Sequence, residues 1–317
     1  MRSVLPVREG DGYGRTPSAR WVHHAPSSKT LLTVRPLLTR FFSQAIACLS
    51  PFGLVVVLSA WIAGVATAQD LRVYTTVRNL TDKRANPPVL AESLTLFHAG
   101  RVYDYMENVG EVVIFEPLEN KFTILGPDYI GTTVTFAEIQ QFLSKSRSEA
   151  ERVLGETQAD ASSRRLAAAL RAQFSPKFKE HARADSIKLV GDSLTYDITT
   201  ASAPKDAAWE KYLDYADWAA RLNFVLHPKS LYPDSRLEVN NALRKVRRLP
   251  VTVDLTGRLD ERELHLRAEH RYGWELQSID RQFIDQWNTR RDARDVKWVA
   301  IHEYQNLLVS RKTASAR

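Results

Sequence analysis

From Leu71 onward, short stretches rich in Val, Thr, Ile and aromatic residues are separated by polar turns of two to six residues. This pattern predicts strands at Leu71–Leu80, Val89–His98, Arg101–Met106, Glu111–Pro117, Lys121–Leu125 and Thr132–Phe136, joined as an antiparallel meander. Within each strand, successive side chains point to opposite faces. Val112 and Ile114 therefore oppose Val113 and Phe115, Leu94 and Leu96 oppose Thr95 and Phe97, and Phe122 and Ile124 oppose Thr123 and Leu125. Strands apolar on both sides cannot face water, so both faces of this sheet are expected to be covered.

The second half changes period. Phe136, Ile139, Phe142 and Leu143 recur at helical spacing, as do Leu166, Ala169, Leu170 and Phe174. Trp209, Tyr212, Leu213, Ala216 and Ala219 mark a longer helix that ends near His227-Pro228, and a short one follows at Leu237–Val246. A hairpin is predicted across Gly191-Asp192, linking Ser186–Val190 to Ser193–Thr200, with further strands at Val251–Leu255 and Glu263–Tyr272. Ile279, Phe283, Ile284 and Trp287 stripe one more helix, and Val296, Val299, Tyr304 and Leu307 a last one, with residues 312–317 as a frayed tail. Strands with inserted helices make an α+β layout, not an alternating βαβ one. The expected architecture is a curved antiparallel sheet, a meander or an incomplete barrel, packed on several amphipathic helices. Residues 69–311 form its single domain.

Upstream of the body lies an address. Residues 52–64 are a 13-residue uncharged apolar run, preceded by Arg35 and Arg40 and followed by Ala66-Thr67-Ala68. A basic flank, an apolar core and a small-x-small site predict a signal peptide cleaved near Ala68, and hence export to a periplasmic or extracellular space. Two alternatives stay open. Residues 45–68 carry no charge over 24 positions, enough to anchor the chain in a membrane, and the acid-poor leader has features of a transit peptide. Residues 1–44 show no apolar period and read as a disordered or mis-assigned extension.

Charge refines this picture. Residues 1–68 carry seven basic and two acidic side chains and account for +5 of the chain's net +7, so the body is close to neutral. Nucleic-acid binding needs a basic face that releases counterions, and none is expected. The lone cysteine, Cys48, lies in the leader, which excludes a disulfide framework or a multi-cysteine metal site in the body. No phosphate loop, nucleophile elbow or His-Glu-x-x-His motif occurs. No cofactor and no metal are expected.

The remaining polar candidates sit on one hairpin: His98, Tyr103 and Asp104. A hydrolase would use His98 as a base oriented by Asp104; the plainer alternative is a turn whose polar residues cap and pack. On the predicted strand Glu263–Tyr272, His265, Arg267, Glu269 and Arg271 share a face and read as a cross-strand charge ladder, leaving His270 on the other face.

The phrases Gly100-Arg101-Val102-Tyr103-Asp104-Tyr105 and Val113-Ile114-Phe115-Glu116-Pro117, within Ser93–Leu125, resemble the hairpins of the LolA/LolB-type half-barrel family. The resemblance spans roughly a quarter of the exported body. It implies a curved sheet wrapped on helices around a greasy cavity for lipid or a lipoprotein's acyl chains. The chain departs from that pattern by starting on a strand and by carrying more helix in its second half. It also resembles exported bacterial proteins more generally. The function expected from the sequence is thus non-enzymatic: an exported protein holding an apolar ligand or partner segment on a sheet face that includes Leu94, Leu96, Val113, Phe115 and Phe122. The alternative is a structural module of the cell envelope with a filled core.

Overall fold

Alternating strands meet helical stripes in the computed structural model, which describes residues 70–81, 86–156, 161–204, 206–228, 230–259 and 262–315. The extension 1–44, the export segment 45–68, Cys48 and the cleavage site near Ala68 lie outside the described residues. The meander comprises β1 (Leu71–Asn79), β2 (Val89–His98), β3 (Arg101–Met106), β4 (Glu111–Glu116), β5 (Lys121–Gly126) and β6 (Ile130–Thr135). Two helices follow, α1 (Phe136–Glu156) and α2 (Ala161–Phe174). The chain then runs through β7 (Lys179–Ala182), β8 (Ser186–Val190), β9 (Leu194–Ser202), α3 (Asp206–Leu226), α4 (Asp234–Val246), β10 (Arg248–Leu259) and β11 (Arg262–Gly273). It ends with α5 (Ser278–Arg291), β12 (Lys297–Trp298) and α6 (Ile301–Ser315).

All twelve strands join one curved, open sheet in the order β12-β6-β5-β4-β3-β2-β1-β11-β10-β9-β8-β7. Every neighbouring pair is antiparallel except β12 with β6. The expected α+β class with a curved sheet is what the chain adopts. The seam is β1 against β11, which pairs Thr75 with His270 and joins the meander to the later strands. Local chemistry sets the turns. In the two-residue loop between β2 and β3, Ala99 and Gly100 both have positive φ (50° and 78°), the mirror-image turn that suits the right-handed strand twist. Thr135 and Glu138 exchange side-chain-to-backbone bonds at 2.7 and 3.2 Å, a capping box that starts α1 as β6 ends.

Three boundaries differ from expectation. β7 was not foreseen, because Lys179-Glu180-His181-Ala182 has no apolar alternation to betray an exposed edge strand. Val296 and Val299 flank the two-residue strand β12, and α6 begins only at Ile301. That helix then runs on to Ser315, through most of the expected frayed tail.

Both faces of the meander are covered. On one, Phe97, Val102, Val113, Phe115 and Phe122 pack with Ile139 of α1 and with Leu213, Tyr215 and Leu222 of α3. On the other, Leu96, Tyr103, Val112, Ile114 and Leu125 pack with Leu276 and with Ile284 and Trp287 of α5. Beyond the seam the sheet behaves differently. Ile187, Leu189, Tyr196, Ile198 and Val253 turn to the α3 side, whereas the opposite face carries ion pairs: Arg267 to Asp254 at 2.8 Å and Lys188 to Asp197 at 3.6 Å. His265 stands 4.0 Å from Asp254 in the same ladder.

Candidate functional site

The site follows from side-chain size. Over the meander, large aromatic residues on the α3 side of the sheet meet large residues from the helices: Phe115 lies 5.7 Å from Tyr215, and Phe136 stacks on Trp218 at 3.7 Å. Over β1, β10 and β11 the sheet presents Thr75, Val77, Leu266 and Ala268, while α3 presents Ala216, Ala219 and Ala220 at helical spacing. Small residues facing small residues cannot fill the space between layers at ordinary packing density. The result is a cavity of about 860 Å³, roofed by α2, α3 and α4. Val77, Leu231, Leu264, Leu266 and Ala268 on its wall are only half-buried, so apolar surface is reachable from solvent.

Asp104 holds one side of this cavity. Its two carboxylate oxygens are both engaged: Thr95 donates its hydroxyl to Oδ1 at 2.8 Å, and Tyr215 donates to Oδ2 at 2.8 Å. Burial, then the neighbouring Asp104 charge, pushes the Tyr215 phenol well above its ordinary range, so Tyr215 stays a donor. The carboxylate thereby ties β2, β3 and α3 together.

His270 projects from β11. Its Nδ1 lies 3.0 Å from the Thr75 hydroxyl, while Nε2 is buried with no hydrogen-bond partner. Burial, and after it the Arg236 guanidinium, lowers its pKa to about 3, so the ring is neutral at physiological pH. Arg236, in the first turn of α4, is half-buried on the cavity wall and makes no hydrogen bond or ion pair among the described residues. The adjacent acid, Asp234, is taken by Arg147, which also donates to the Phe174 carbonyl at 2.7 Å and lies over the Phe174 and Tyr232 rings. Those contacts lock α1, α2 and α4 into one roof.

The expected site residues part company here. Leu94 and Leu96 belong to the α5 face, whereas Val113, Phe115 and Phe122 belong to the α3 face, so the five do not form one surface. None of the five lines the large cavity; Phe115 borders a smaller pocket of about 530 Å³ with Phe97 and Trp218. The physical reason is register. The two-residue hairpin sets Leu96 opposite Tyr103 and Tyr103 opposite Ile114, which sends Leu96 and Phe115 to opposite sides.

The polar hairpin also separates. His98 bonds Asp70 at 2.8 Å, not Asp104, and Arg281 of α5 donates to the same carboxylate at 2.8 Å. Burial alone would raise the Asp70 pKa, yet these two partners hold it below the ordinary value. Tyr103 faces α5, where it stacks on Trp287 and donates to Asn288 at 3.2 Å. Only Asp104 reaches the cavity. Arg244 and Lys245, in the last turn of α4, are paired with acids: Arg244 with Asp217 at 2.9 Å and Lys245 with Glu180 at 2.7 Å. Among the described residues, no group of three or more His, Cys, Asp or Glu is placed to hold a metal ion, and no helix is long and apolar enough to cross a membrane.

The sequence reading passed over Arg236 and Tyr215, and took Tyr212, Ala216 and Ala219 only as the marks of a helix. His270 could have been found, since alternation already placed it on the inward face with Leu264 and Leu266. Nothing in the sequence marks Arg236, a single arginine in a helix start. Comparison with protein-family models found none that matches this chain, and comparison with curated proteins found no match either.

Proposed function

We propose that this protein is a non-enzymatic binder that holds a small apolar or amphipathic molecule in the cavity between β1, β10, β11 and α3. The observation that carries this reading is the interface described above, which leaves about 860 Å³ lined by aliphatic side chains and four tyrosines, with a few polar groups among them. That volume lies in the roughly 300–1,000 Å³ range of small-molecule sites, and so does the mix of apolar wall with a few convergent polar groups. Export, inferred from residues 45–68, sets the work in the periplasm or outside the cell, where a lipid or a lipoprotein's acyl chain is a suitable cargo. The similarity to LolA/LolB-type carriers, carried by the hairpin phrases, points the same way. The filled core of the meander is what favours the other reading, a structural module of the envelope.

The test combines native mass spectrometry of the purified protein with titration of the neutral, lipophilic dye Nile red. We expect a co-purifying small amphiphile and saturable dye binding, both lost in Ala219→Phe, which fills the cavity from α3. Absence of any bound species together with no saturable dye binding would overturn the reading.

A further inference from the structure

We infer that the cavity selects a single-chain amphiphile with an anionic head, such as a medium-chain carboxylate, and that Arg236 is the residue that receives the head. This rests on the binding role proposed above and goes further by assigning the polarity and position of the ligand. Arg236 and His270, both on the cavity wall, keep polar atoms that no internal bond takes up. Arg236 has five N–H donors and no partner among the described residues. His270 is nine-tenths buried, lines the same cavity and has an orphaned Nε2. Buried polar atoms are almost always satisfied, so the orphaned His270 Nε2, on the same wall as a half-buried arginine with no internal partner, points to a ligand that completes it.

The sign of the head follows from what is already occupied. Asp104, the acid on the wall, has one hydroxyl donor on each oxygen and acts as a brace between sheet and helix. Asp234, beside Arg236, is held by Arg147. The unanswered charge is therefore positive. The His270 ring is neutral, and when the Thr75 hydroxyl donates to Nδ1, the ring proton sits on Nε2. In that tautomer Nε2–H is a second donor for an oxyanion. A carboxylate accepting from Arg236 would gain a charge-assisted bond in a setting partly shielded from water. The tail then lies along Leu264, Leu266, Val253 and Leu255, on the sheet wall of the same cavity.

The experiment compares dodecanoate with dodecanol, each competing against Nile red on the full chain and on Arg236→Met and Arg236→Lys. Arg236 makes no internal bond, so its replacement leaves the fold's own hydrogen bonds intact; circular dichroism melts confirm this for each variant. Wild type is expected to prefer dodecanoate, and Arg236→Met to weaken dodecanoate by about tenfold to a hundredfold, a clearly larger factor than for dodecanol or dye, so that the preference is lost. Arg236→Lys is expected to recover part of the loss. Equal affinity of wild type for the two compounds, or a preference for dodecanoate that survives Arg236→Met, would overturn the inference while leaving the binding role intact. If dye, alcohol and acid all fail to bind wild type, the binding role itself falls, and this inference with it.

Discussion

The two halves of the sheet solve the same problem in opposite ways. In the meander β2–β6, both faces are apolar and both are roofed, by α1 and α3 on one side and by α5 on the other. In β8–β11, one face is a charged ladder open to water; the other is roofed by helices that pack closely on β8 and β9 but leave a gap over β10 and β11. The difference lies in side-chain size and alternation. Aromatic residues at Phe97, Phe115 and Phe122 interdigitate with Phe136, Tyr215 and Trp218. Across the seam, alanines on α3 face short and aliphatic residues on the sheet, and a cavity remains. One half is built for stability, and the other keeps room at the expense of packing.

The sharpest way to break this contrast is a charge on the α5 side of each half. Ile114 is fully buried against the α5 cluster, so Ile114→Asp should cost more than about 4 kcal/mol and unfold the protein in a denaturant or thermal melt. Thr256→Asp, on the exposed ladder of β10, should shift stability by no more than about 0.5 kcal/mol. Equal effects would mean that the two halves do not differ as described.

A truncation series sharpens the same comparison at lower cost. Leu96→Ala removes a side chain with no exposed surface and should cost about 2–5 kcal/mol. Leu266→Ala trims a half-buried side chain that already borders open space, so less than about 1.5 kcal/mol is expected. Urea unfolding of the two variants would separate them, and a Leu266→Ala cost matching that of Leu96→Ala would argue for a filled interior on both sides of the seam.

The last test is one of pH, and it belongs to the cavity half. His270 has a folded pKa of about 3, below its ordinary 6.5. The unfolded chain therefore binds this proton more readily than the folded one. The contribution of the neutral ring is complete above about pH 6.5 and is lost as pH falls toward 3. At pH 5 the loss should be about 2 kcal/mol. Thermal melts between pH 7 and pH 5 should show a drop in wild type that is largely absent in His270→Phe. A flat wild-type profile would place His270 in contact with water.

Much of this architecture was legible in the chain. Strand alternation in Val89–His98 and Glu111–Glu116 correctly implied a cover on each face, and the stripes at Trp209–Ala219 and Ile279–Trp287 identified the helices that provide it. The candidate site was legible only in part. Asp104 was singled out, and of the two readings open for this hairpin the one that pairs it with His98 is not what the fold makes: the two side chains find different partners. Asp70, the actual partner of His98, lies just ahead of β1, which pairs with β2.

By itself, the sequence determined most of the strands and helices, β7 and β12 excepted, and which side chains share a face within each segment, since both follow from local periodicity of 2.0 and 3.6 residues. The register between strands, the pairing of β1 with β11 and the distance between α3 and the sheet were decided only in the tertiary structure. These depend on which residues meet across nearly 200 positions of chain. An alanine stripe on a helix has the same pattern whether it closes against a bulky neighbour or stands across from another small one. An arginine in a helix start looks the same whether its charge is answered or not. Packing and pairing are properties of two surfaces at once, and local periodicity describes only one.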